Sequence, residues 1–170
     1  AFEAAWMAHA ITDCLTPAHH FPLEQAMAEL RGGEGLETRT SILKKNLMKG
    51  DNGIELIKNN WKFWGAKGMM TTHVAFEAGV ASVVSYPRFK DAIPSDDEIS
   101  QVKNHGYREY YLDQVHAVAS MKMYDNFSKS GWTTDLAWQT NHELMPIIIK
   151  SVMLGWLASI WKLEAEKSES

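Results

Sequence analysis

The hydrophobic residues of this chain recur at intervals of three and four, the spacing of one face of an α-helix, with no sustained two-residue alternation of a half-buried strand. Phe2, Trp6, His9 and Asp13 follow such steps at the start, and Pro17 stops the helix they define. A short helix should follow Pro22, a residue favoured in a first turn, and end at Arg31-Gly32-Gly33. Thr38 to Met48 and Ile54 to Trp64 are the next candidates, separated by the turn signal Asp51-Asn52-Gly53. Gly68 to Tyr86 reads as a core helix, apolar nearly all round and closed by Pro87. Ser95-Asp96-Asp97-Glu98 has the composition of a helix start, with acids at the positive end of the dipole. Tyr107 to Ser128 and Trp132 to Lys162 read as two long helices around Gly131, and the tail from Glu164 to Ser170 should fray. The spacing predicts an all-α, single-domain helical bundle of about six to eight helices over residues 1–170.

Composition agrees with that picture. With 170 residues, 45% hydrophobic and 22% charged, the chain can bury a sizeable core without disulfide staples. Its single cysteine, Cys14, excludes an intrachain disulfide and an all-cysteine zinc site, and reads as a small core residue. Seventeen basic side chains against twenty-one acidic ones give a net charge of -4, with no basic excess to hold duplex nucleic acid. Leu144 to Trp161 is apolar enough to test as a membrane span, but Lys150 and Pro146 interrupt it, and a buried core helix is the better reading. The opening Ala1-Phe2-Glu3-Ala4-Ala5-Trp6 lacks an export-signal pattern. The chain reads either as a mature form or as the C-terminal part of a longer catalytic domain.

The informative polar residues sit inside apolar stretches. His9 and Asp13 are four apart on the face shared with Phe2 and Trp6. Between Met69 and Ser85 the only charged or imidazole side chains are His73 and Glu77, again four apart. A carboxylate buried alone would neutralise or acquire a counter-charge. Two readings answer this requirement. The pairs can satisfy one another by hydrogen bonds, or a divalent cation can compensate the carboxylates and take up the imidazole lone pairs. The repetition of the pair, with His19-His20 following a helix-breaking proline, favours the metal.

The segment from His9 to His19 has the spacing HxxxDxxxPxH, and a second segment reads Thr72-His73-Val74-Ala75-Phe76-Glu77. Together these strings resemble the ligand motifs of the zinc-dependent phospholipase C family and of the related single-strand-specific zinc nucleases. The glutamate at position 77, the His-Val-x-Phe-Glu pattern and Thr16-Pro17 are more similar to the alpha-toxin members of the phospholipase branch. The resemblance implies an all-α fold, with His19, His73 and Glu77 binding one zinc ion. It places His9 and Asp13 at an adjacent zinc pair, with Asp13 bridging the two ions at the catalytic centre. The family's upstream ligands, an amino-terminal tryptophan, a further histidine and an Asp–His pair, have no counterpart in these residues. The 54 positions separating His19 from His73 exceed the interval in alpha-toxins.

The chemistry that follows is hydrolysis of a phosphodiester by metal-activated water, with a phospholipid head group ahead of a nucleotide as substrate and peripheral contact with a membrane. Two alternatives stand beside it: a zinc nuclease of the single-strand type, and a helical binding or assembly module whose metal site is structural or degenerate. By resemblance the protein would be secreted or extracytoplasmic. Further candidates are His20, as a ligand, a partner of a ligand or an exposed loop residue, and the helically spaced pairs His105 with Glu109 and Asp113 with His116. His142 reads as a buried, hydrogen-bonded histidine. Asn59, Asn60 and Trp61 to Trp64 either line a cleft or pack, and Arg39 and Lys44-Lys45 belong to a solvated helix face.

Overall fold

The computed structural model describes residues 1–85, 89 and 92–168. These form α1 (Phe2–Cys14), α2 (Leu23–Leu30), α3 (Ile42–Asn46), α4 (Gly53–Trp64), α5 (Met69–Val84), α6 (Asp96–His105), α7 (Tyr107–Met121), α8 (Met123–Ser130), α9 (Thr134–Gln139) and α10 (Met145–Ser168), with no strand among the described residues. The all-α expectation holds. Eight of these helices are eight residues or longer.

The predicted starts and stops follow local chemistry. Asn52 accepts the Glu55 backbone N–H at 2.9 Å at the head of α4, and Ser95 and Glu98 form a reciprocal capping box on α6. After α2 the chain turns back through Gly32 and Gly33, both at positive φ, where the Gly33 N–H reaches the Ala28 carbonyl at 2.8 Å. Three expectations need correction. The helix expected over Thr38–Met48 is confined to α3, which starts at the Ser41 cap; Leu36–Thr38 form a separate 3-10 turn. The helix expected over Tyr107–Ser128 breaks at Lys122, which adopts φ +51. The helix expected over Trp132–Lys162 carries a π-turn at Thr140–Leu144, where the Met145 N–H bonds the Thr140 carbonyl. Pro146, which offers no N–H and crowds the preceding turn, is thereby accommodated without ending the helix. The tail is helical through Ser168, while the end of the α5 segment at Tyr86 and Pro87 and the last two residues lie outside the described residues.

The chain divides into two compact units, residues 21–79 and residues 1–20 with 80–170. In the smaller unit, Met27, Met48 and Phe63 form a buried cluster flanked by Leu23, Leu30, Met69 and Met70. In the larger unit α10 packs on α1, α6 and α7, around a core of Val102, Tyr110 and Leu154. Gly155 allows this close approach, because a Cβ there would lie 3.1 Å from both Ile11 Cδ1 and the Tyr107 ring. The Tyr107 hydroxyl donates to the Ser151 carbonyl at 2.8 Å, and the Trp156 indole N–H donates to the Ala4 carbonyl at 2.9 Å. By length and composition the helical stretch Thr134–Ser168 can cross a membrane. Here its Ile148, Ser151, Leu154 and Gly155 are buried by protein, while Met153, Trp156, Ile160 and Leu163 remain exposed, so it is a half-buried rather than a fully buried core helix.

Candidate metal centre

Helix α1 places His9 and Asp13 one turn apart, with His9 Nε2 3.3 Å from Asp13 Oδ2. Beyond Cys14 the chain turns through a single 3-10 turn, Pro17–His20. Pro17 and Ala18 are buried, and this turn packs against α7 and α8. Thr16 closes the corner by donating its hydroxyl to the Thr12 carbonyl at 2.8 Å, and the His19 N–H bonds the Thr16 carbonyl at 2.9 Å. The anchored turn carries His19 back over the end of α1, with Nδ1 3.8 Å from Asp13 Oδ1. The two oxygens of Asp13 therefore face two different imidazoles. In the smaller unit, α5 sets His73 Nε2 3.2 Å from Glu77 Oε1.

The sequence expectation that these groups lie in an apolar interior is corrected. The side chains of His9, Asp13 and Glu77 are 64%, 44% and 44% exposed, and only His73, at 12%, is largely enclosed. α1 and α5 are apolar nearly all round, so spacing alone did not tell the inward face from the outward one. On α1 the buried residue is Ile11, and a position two residues from His9 points to nearly the opposite side. Phe2 and Trp6 are exposed with His9, and the three residues line, with Ala5, an open groove of about 220 Å³. The Trp6 ring meets the His9 ring edge-on at 5.9 Å.

The donors fit a zinc ion by chemistry and by spacing. Imidazole nitrogen and carboxylate oxygen are the ligands of exchangeable zinc sites, and two such donors on one tetrahedral ion lie about 3.4 Å apart. The His9–Asp13 and His73–Glu77 separations, 3.3 and 3.2 Å, lie close to that value and also at the long end of N–H···O hydrogen bonding, so each pair can hold either an ion or a shared proton.

The remaining candidates are distributed elsewhere. His20 bonds the Cys14 carbonyl through Nε2 at 2.7 Å. A carbonyl only accepts, so Nε2 carries the proton and His20 caps the end of α1. His105 and Glu109 are exposed and do not share a helix: Gly106, at φ +91, separates α6 from α7. Asp113 and His116 are exposed on α7. His142 is hydrogen-bonded as expected, to the Trp138 carbonyl at 2.9 Å, but it is exposed and stacked on the Trp138 ring. Asn59 and Asn60 bond backbone carbonyls around Met48 and Lys49. Arg39 is buried against Glu24 at 3.1 Å rather than solvated. Cys14 is exposed rather than in the core. Tyr111 lies beside it, and burial, reinforced by the Cys14 contact, pushes the Tyr111 hydroxyl well above its usual range. The groove residues beside His9 carry a signal in the sequence, the Phe2–Trp6–His9 spacing, which marks one shared helix face without telling whether it points inward or outward.

Comparison with protein-family models, with curated proteins and with solved structures finds no match to this chain.

Proposed function

We propose that this chain is a zinc-dependent phosphodiester hydrolase of phospholipase C type, using His9, Asp13, His19, His73 and Glu77 as metal ligands. The observation that carries this reading is the position of Asp13, whose Oδ2 faces His9 at 3.3 Å while Oδ1 faces His19 at 3.8 Å. A carboxylate with each oxygen turned to a different imidazole can share a cation with each of them, which supports a site of more than one ion; the bridge that the resemblance implies for Asp13 lies within the zinc pair it shares with His9, adjacent to the ion of His19. Bound zinc would supply a water acidic enough to attack near neutral pH and a positive charge for the phosphate oxygens. The chain's own contribution is placement. The buried Pro17–Ala18 corner holds His19 in register with Asp13, and the helical spacing of α5 orients His73 and Glu77.

The open groove next to His9 favours a lipid over a nucleotide. Beside His9 its lining is the apolar side chains of Phe2, Ala5 and Trp6, with no lysine or arginine of the kind a nucleic-acid backbone requires among the described residues. The test compares zinc-loaded and chelated protein on a choline phospholipid and on single-stranded DNA. Zinc-dependent release of the phosphorylated head group is expected, with Asp13→Asn lowering the rate by about ten- to a hundredfold. Zinc-loaded protein inert on both substrates would contradict the hydrolase and leave a helical module with a structural metal.

A further inference from the structure

Helix α4 is apolar on two faces. Phe63 is fully buried on the inward side, as an amphipathic helix requires. On the opposite side Ile54, Ile57, Trp61 and Trp64 succeed one another at helical spacing, with Ile54 82% and Trp61 71% exposed. Lys58 and Lys62 flank this stripe and are also exposed. The adjoining α3 repeats the pattern, with Ile42, Leu43 and Leu47 exposed around Lys44 and Lys45.

The two helices are held as one platform. The Trp64 indole donates to the Asn46 carbonyl at 2.7 Å, and the Asn60 amide both accepts from the Met48 N–H at 3.0 Å and donates to its carbonyl at 2.9 Å. Arg31, itself buried, donates to the Lys44 and Leu47 carbonyls at the end of α3. Bulky exposed side chains on so well-tied a support are not loose loop residues, and a grouped apolar surface of this kind marks an interaction site.

Charge identifies the partner. Residues 42–67 carry six lysines against Asp51 and Glu55, in a chain whose net charge is -4; one of the six, Lys49, is paired with Glu34. The Glu55 carboxylate is turned back to accept the Asp51 N–H at 3.0 Å. Tryptophan and isoleucine rimmed by lysine is the composition of a surface that lies in the lipid interface, with apolar side chains among the acyl chains and ammonium groups at anionic head groups. We infer that the outward face of α3 and α4 docks on an anionic phospholipid surface. This inference is independent of the metal reading, and its test is run in chelator so that each can fail separately.

The test is co-sedimentation of the full chain with vesicles of phosphatidylserine and phosphatidylcholine, against phosphatidylcholine alone. Binding is expected to the mixed vesicles, and to weaken as salt is raised. Lys58→Glu with Lys62→Glu should weaken it by more than about twentyfold, from roughly fivefold for each lysine at the surface. Trp61→Ala should weaken it by about tenfold or more, the loss expected for one large buried apolar group. These side chains are exposed, so circular dichroism of the variants should match the parent. Absence of binding to mixed vesicles, or variants that bind as the parent does, would overturn the inference. So would light scattering that finds a dimer reverting to monomer in Trp61→Ala, which would give the surface to a second copy of the chain.

Discussion

Lys150 on α10 holds its Nζ 3.0 Å from Oε1 of Glu98, whose other oxygen, Oε2, accepts from the Ser95 N–H at 2.8 Å in the capping box of α6. One carboxylate thus both starts α6 and answers the lysine that interrupts the apolar stretch of α10. Burial alone would raise the Glu98 pKa, but the Ser95 hydrogen bonds and Lys150 outweigh it and hold the carboxyl below its ordinary value of 4.5. A carboxyl that is more acidic in the folded chain stabilises the fold above the unfolded value, and that contribution is lost as pH falls through the folded one. Lys150→Met should therefore move the acid-unfolding midpoint, followed by circular dichroism, to higher pH. At neutral pH, with both side chains about a quarter exposed, the cost should be about 1–2 kcal/mol.

The alkaline limit should come from tyrosines. Burial, with the Glu98 charge reinforcing it, raises the Tyr110 hydroxyl from 10.0 to about 12, and burial raises Tyr107 further. Groups whose folded pKa is raised stabilise the fold below the unfolded value, and lose that contribution as pH climbs toward the folded one. Absorbance of tyrosinate should lag behind that of free tyrosine above pH 10 and then rise together with loss of helix. Tyrosines that all ionise near 10 before any loss of helix would contradict the packing described for α7.

Neighbouring histidines in the 3-10 turn should behave differently. His20→Ala removes the cap on the Cys14 carbonyl and should lower stability by about 1 kcal/mol with zinc binding kept. His19→Ala should weaken zinc binding by tenfold or more with little change in the stability of the metal-free chain, since its side chain faces the carboxylate of Asp13 from the surface. Thermal unfolding with and without zinc separates the two.

Much of the fold was legible in the sequence because it rests on local signals. Asn52, Ser95 and the Gly32-Gly33 pair end or begin helices where their chemistry requires. The break at Lys122 was not legible, since lysine carries no preference for a left-handed backbone. The π-turn was half-legible, because Pro146 announced a disturbance but not its form. For the candidate site, the His–carboxylate spacings on α1 and α5 could be read, as could the turn at Pro17. Burial could not: helices rich in alanine, valine and methionine on every side present no polar face, so only tertiary contacts decide that Ile11 points inward and His9 outward. Arg39 shows the converse, a charged residue that is buried with its guanidinium 3.1 Å from the exposed carboxylate of Glu24.

The central claim is that zinc binds through these histidines and carboxylates, and the most direct measurement is the zinc content of the purified chain after dialysis against trace metal. Two or three ions per chain are expected, falling in Asp13→Asn and in Glu77→Gln while the helical spectrum is retained. A parent chain that keeps no zinc, or one whose zinc content is unchanged in both variants, would contradict the account.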